Sequence, residues 1–148
     1  MNLQECFLWL AKCEEDGCTM YYKFSQICSE KLKQVVISFS KEEEKHKIIM
    51  LELSDNEKFK EKELDNDVEN IFNMQIGSIS NNDIKLNEIS EKEFFIFALQ
   101  LEKNSIEIYT KLLYIFEMDD YMYKKIENLI KEERKHMVYI LNKLYELK

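Results

Sequence analysis

Lys41-Glu42-Glu43-Glu44-Lys45-His46 decides how this chain is read, because nearly the same string returns as Lys131-Glu132-Glu133-Arg134-Lys135-His136. The protein has only two histidines, and each has a glutamate three residues before it. On a helix, residues three apart lie on one face about a turn from each other. A carboxylate and an imidazole placed in this way can grip one metal ion. The rest of the sequence reads as a scaffold for two such pairs.

The composition is that of long helices. With 148 residues, no proline and two glycines, the chain has the length of one domain and little punctuation for turns or sheet corners. A net charge of −8 argues against a nucleic-acid binder, which needs a basic face. No apolar run approaches the roughly 18–20 residues that span a bilayer. The N-terminus lacks a basic segment followed by a signal-type apolar core. The expectation is a soluble, cytoplasmic protein that contacts neither nucleic acid nor membrane. Cys6, Cys13, Cys18 and Cys28 form no C-x-x-C pair and are expected in the first helix as small packed hydrophobes rather than as a metal or redox site.

Working outward from the repeated string, the second helix is expected over 30–54, with an inward stripe of Leu32, Val36, Phe39, Glu43, His46, Met50 and Leu53. Glu42 and Glu44 fall off that stripe into solvent. The first helix is expected over 3–28, opened by a capping box at Asn2 and Glu5. Its stripe reads Phe7, Leu10/Ala11, Glu14, Gly17/Cys18, Tyr21, Phe24 and Cys28, with Glu15 off it. A third helix, over 90–116, opens at Ser90 and Glu93 and carries Phe95, Ala98, Glu102, Ser105/Ile106, Tyr109, Leu113 and Phe116. The fourth, over 121–147, carries Met122, Ile126, Leu129, Glu133, His136, Ile140 and Leu144. Between them, 55–89 reads as a crossover too long for a tight turn. It contains a short helix from Asn66 and Glu69 through Val68, Ile71, Phe72 and Met74 to Gly77, then a loop at Ser78–Asp83.

The chain is therefore a duplication at the level of pattern. Glu14 maps to Glu102, 88 residues on; Glu43 to Glu133 and His46 to His136, each 90 residues on. Residues level with each other in an antiparallel hairpin are equidistant from its turn. The midpoint of Glu14 and Glu43 falls at Cys28-Ser29, and that of Glu102 and Glu133 between Glu117 and Met118, beside the break at Asp119-Asp120. Both hairpins thus place a glutamate level with a Glu-x-x-His pair. Buried unneutralised carboxylates cost several kcal/mol each, and the inward stripes hold no Lys or Arg. Two divalent ions would neutralise them.

These residues resemble the ferritin-like superfamily, and within it the di-iron domain of rubrerythrin. Leu10-Ala11-Lys12-Cys13-Glu14-Glu15-Asp16-Gly17 with Tyr21-Tyr22, and Ala98-Leu99-Gln100-Leu101-Glu102-Lys103 with Tyr109, look like the two rubrerythrin Glu-x6-Tyr helices. The Glu-Glu-x-Lys-His strings look like its metal-ligand helices. The resemblance implies a single all-α domain over 1–148, a ferritin-like antiparallel four-helix bundle of two hairpins joined by the crossover. It implies two iron ions, Fe2+/Fe3+, for which Mn or Zn can substitute. Glu43 and Glu133 would bridge them, Glu14 and His46 would complete one, and Glu102 and His136 the other. Tyr21 and Tyr109 would hydrogen-bond the ligand carboxylates. The implied reaction is reduction of hydrogen peroxide or O2 in a pocket lined by residues such as Phe39, Phe95, Ala98 and Leu129. A non-catalytic iron-handling bundle is the alternative. Leu99 stands where rubrerythrins usually carry a further glutamate. No rubredoxin segment follows within the chain, so the electron donor would be external, for example a rubredoxin. A homodimer is compatible with the pattern.

Overall fold

The computed structural model describes residues 1–70, 73 and 86–147. Ile71, Phe72, Met74, Gly77 and the Ser78–Asp83 loop expected in the crossover lie outside the described residues. Among the described residues there is no strand, only an isolated bridge. Four long helices dominate: α1 (Leu3–Ser25), α2 (Glu30–Ser54), α3 (Glu91–Ile115) and α4 (Asp120–Glu146). No described helix is long and apolar enough to cross a membrane. The chain divides into two compact units, Met1–Glu69 and Asn70–Lys148.

The first unit is the α1–α2 hairpin with the chain that follows it. Asn2 and Glu5 form the expected capping box, each side chain accepting from the other's backbone N–H at 2.8 and 2.9 Å, which satisfies two otherwise unmet donors of the first turn. α1 ends three residues before the expected Cys28. Gln26 donates to the Lys23 carbonyl in a tightened last turn, the Ser25 hydroxyl donates to the Tyr22 carbonyl, and Ser29 must be extended to start α2. Cys28 is therefore in the turn. Gln4 bonds the Ser54 carbonyl, Lys47 reaches Glu15 and Ser40 bonds the Cys18 carbonyl, so sequence separation shrinks steadily toward the turn as antiparallel pairing requires. Phe7 and Phe59 pack with ring centroids 5.4 Å apart, and Tyr21 stands edge-on to Phe39 at 5.5 Å. After α2 the chain makes a 3-10 turn over Glu57–Phe59 and pairs with the start of α1. Leu3 donates to the Lys62 carbonyl at 2.8 Å and Leu64 to the Met1 carbonyl at 3.1 Å. Residues 66–70 are helical, and Glu69 N donates to the Asp65 carbonyl, so Asp65 holds the N-cap position expected for Asn66.

The second unit contains α3 and α4. Ser90 and Glu93 form the second expected capping box, and Asp119 caps α4 by accepting from Met122 N at 3.1 Å. Every member of the α2 stripe is buried. On α4 all are buried except the half-exposed Leu144, and Ile130 joins them. The α3 stripe needs correction: Ser105, Ile106 and Leu113 are half-buried, while Phe94, Asn104, Ile108 and Leu112 are buried. The helix carries apolar residues on more of its circumference than a single stripe, and the choice between neighbours such as Leu112 and Leu113 is made by packing.

Candidate metal centre

Each hairpin brings its own three ligand candidates together. In the first, α1 supplies Glu14 and α2 supplies Glu43 and His46. One ligand atom of each lies within 4.8 Å of the others. His46 Nδ1 is 3.5 Å from Glu14 Oε2 and 3.8 Å from Glu43 Oε2. In the second, α3 supplies Glu102 and α4 supplies Glu133 and His136, within the same limit. His136 Nδ1 is 3.2 Å from Glu102 Oε1 and 3.7 Å from Glu133 Oε2. The register expected from the midpoints therefore holds within each hairpin. All six residues are buried, none more than 5 % exposed.

The geometry is suited to a cation. Two atoms bound to one ion at about 2.0–2.2 Å lie roughly 3–4 Å apart, which brackets the four nitrogen–oxygen separations in the two hairpins. Carboxylate oxygen with imidazole nitrogen is a donor set that iron, manganese and zinc accept. Both rings present Nδ1 to the two carboxylates. Glu14 Oε2, Glu43 Oε1, Glu102 Oε2 and Glu133 Oε2 are buried oxygens that accept no hydrogen bond from the described residues, although each carboxylate makes other interactions. Without a cation, a His136 Nδ1–H can donate to Glu102.

Around the triads, Tyr21 and Tyr109 are fully buried. The neighbouring acids behave as their off-stripe positions require. Glu42, Glu44 and Glu132 are half-exposed, and Glu44 approaches Lys47 at 3.9 Å. Glu15 also meets Lys47, at 3.3 Å across the hairpin. The hydrogen bond from that ammonium holds the Glu15 carboxyl below its usual range. Leu99 is half-buried, one turn before Glu102.

Two polar contacts beside the triads were not anticipated. Ser40, buried one turn before Glu43, donates its hydroxyl to the Cys18 carbonyl at 2.9 Å and lies 3.4 Å from the Cys18 sulfur. Asn104, buried two residues after Glu102, accepts from Gln100 at 2.8 Å. A polar residue one turn before a candidate ligand, beside the expected stripe, was the available signal for Ser40. Asn104 had none, since it lies off the expected stripe. None of the four cysteines is disulfide-bonded among the described residues. Burial pushes the Cys6 thiol far up and that of Cys13 to about 12, which suits packed thiols and not nucleophiles. Comparisons with protein-family models, with curated proteins and with solved structures gave no match.

Proposed function

We propose that the protein is a non-haem di-iron carboxylate protein of the rubrerythrin kind, which reduces hydrogen peroxide, or O2, with electrons from an external donor. The observation that carries this reading is the same buried triad, a glutamate set against Glu-x-x-His, built once in each of two hairpins. One triad alone is a common enough juxtaposition of acids and a histidine. Two in matching register, on a chain whose inward stripes offer no Lys or Arg, favour paired cations.

On this reading the two hairpins would form a ferritin-like bundle; Glu43 and Glu133 would be shared between two irons, with Glu14 and His46 completing one ligand set and Glu102 and His136 the other. Two ferrous ions, when bound there, would supply the two electrons that, with two protons, reduce one hydrogen peroxide to two waters. An external one-electron donor, acting twice, would restore those electrons. The protein's own part is to hold carboxylates that balance the change of charge, and to exclude bulk water from them by burial. Tyr21 and Tyr109 orient ligand carboxylates through their hydroxyls. A cytoplasmic setting suits the thiols and the need for reductant.

The test is anaerobic loading with ferrous iron, followed by stopped-flow mixing with peroxide. Two irons per chain should bind, and oxidation by peroxide should outrun that of free ferrous iron and that by O2. Leu99→Glu should quicken turnover with a supplied donor, if a carboxylate one turn before Glu102 reaches the metal. Tight binding of two irons with no acceleration over free iron would leave the iron-handling bundle as the function.

A further inference from the structure

A serine or threonine inside a helix can return its proton to a carbonyl one turn back on the same helix. Ser25, Ser38, Ser54 and Thr110 all do so. Ser40 does not, although Ser38 shows the option to be open two residues away on α2. Its hydroxyl reaches across the hairpin instead, to the Cys18 carbonyl at 2.9 Å. A hydroxyl has a single proton to give, so at the 3.4 Å contact with Cys18 Sγ the thiol is the donor. One buried side chain is thus held twice by one residue of the facing helix.

The tie lies close to the first triad. Ser40 is three residues before Glu43, and Cys18 is four residues after Glu14. Both helices are therefore fastened one turn from their ligands. Glu43 itself lies against α1 beside the tie: its Oε2, Cγ and Cδ stand 3.6, 3.7 and 3.8 Å from where a Cβ of Gly17 would be. The spacing of α1 and α2 at this level fixes where that carboxylate rests. In the second hairpin Ile106 and Ile130 stand at the places of Cys18 and Ser40. Ile130 has no hydroxyl to give.

We infer that Ser40 is a positioning residue for Glu43: its bond to the Cys18 carbonyl sets the spacing of α1 and α2 beside the first triad, and so defines one metal position and not the other. This rests on the proposed metal centre, whose two positions it makes inequivalent.

Titration with Co2+ tests this without turnover, because the ion's visible absorption reports the geometry of its ligands. Wild type should bind two Co2+ per chain. Ser40→Ala should weaken one of them about tenfold or more and alter its absorption, as losing the support of a ligand does, and leave the other unchanged. The affected ion should be the one that His46→Ala removes. Leu32→Ala hollows the same helix at a buried position three turns from Glu43. It should lower the melting temperature at least as much as Ser40→Ala, with both ions bound as in wild type. Two wild-type Co2+ sites in Ser40→Ala overturn the inference and leave the metal centre standing. Equal weakening of both ions also overturns it, as does weakening that Leu32→Ala reproduces. A wild-type protein that binds no Co2+, Zn2+ or Fe2+ removes the metal centre and this inference together.

Discussion

The two hairpins carry the same triad on different surroundings, and the differences separate what the triad requires from what it tolerates. His46 and His136 both aim Nδ1 at two carboxylates. Other matched positions diverge. Cys6 corresponds to Phe94, both fully buried, so the thiol's place is one that an aromatic ring also fills. Ser40, which bonds across to α1, corresponds to Ile130, which is buried as an apolar residue. The cross-hairpin pair Glu15–Lys47 corresponds to Lys103 and Met137, which cannot form one. Even the surface is repeated in part: Leu8, Ile48 and Leu51 are exposed, as are their counterparts Ile96, Val138 and Leu141. The buried triads and the helix register are common to both halves; their lateral support is particular to each.

The largest effects should come from breaking the part that is shared. Glu43→Ala and Glu133→Ala should each weaken metal binding by more than about 100-fold, beyond the 10–100-fold typical of residues that only orient a ligand. Glu42→Ala and Glu132→Ala should change it by less than about threefold, as surface substitutions do. Isothermal titration with Zn2+ would decide, and equal losses in both sets would mean that the wrong carboxylates have been assigned. Next in size is the metal's own contribution to folding. With free metal a thousandfold above its dissociation constant the linkage is about 4 kcal/mol, so chelation should lower the melting temperature by roughly 10 °C. Calorimetry showing no change would detach the triads from metal. Smaller again are Tyr21→Phe and Tyr109→Phe, each expected to weaken metal binding about tenfold by freeing a ligand carboxylate to turn. If only one of the two did so, the equivalence of the halves would stop at the ligands.

The smallest effect belongs to the pair found in one hairpin alone. The Glu15 carboxyl is held below its usual range, chiefly by the Lys47 ammonium. A depressed carboxyl contributes stability above its unfolded value and loses that contribution as pH falls through the folded one. Lys47→Met should therefore melt slightly below wild type at pH 7, with the gap closing below about pH 4. Met137→Lys in the other hairpin would face Lys103 and should give no gain. Both are exposed enough that salt should mute the difference.

Much of this molecule was legible from spacing. Two capping boxes, the α2 stripe and the level placement of each glutamate with its Glu-x-x-His all follow from helical periodicity, because each is fixed within a few residues of chain or by counting to a turn. The α1 terminus was not, since an apolar Cys28 continues the stripe in sequence while Ser29 has to break the helix to begin the next one. The inner face of α3 was not, since apolar residues on both sides of the stripe leave the rotation to packing. The Ser40 bond to a backbone carbonyl 22 residues away depends on a partner that a local pattern does not contain.

The seam between the start of α1 and residues 62–64 has a consequence for the order of events as the chain is made. α1 and α2 can zip from their short turn as soon as both have emerged. The Leu3–Lys62 and Leu64–Met1 bonds must wait for the chain beyond α2, and among the backbone–backbone hydrogen bonds of the unit they close the longest loops, at the greatest entropic cost. They should be the last bonds made and the first to open. In hydrogen exchange, the amides of Leu3 and Leu64 should trade their protons at one common rate, ahead of the hairpin they fasten.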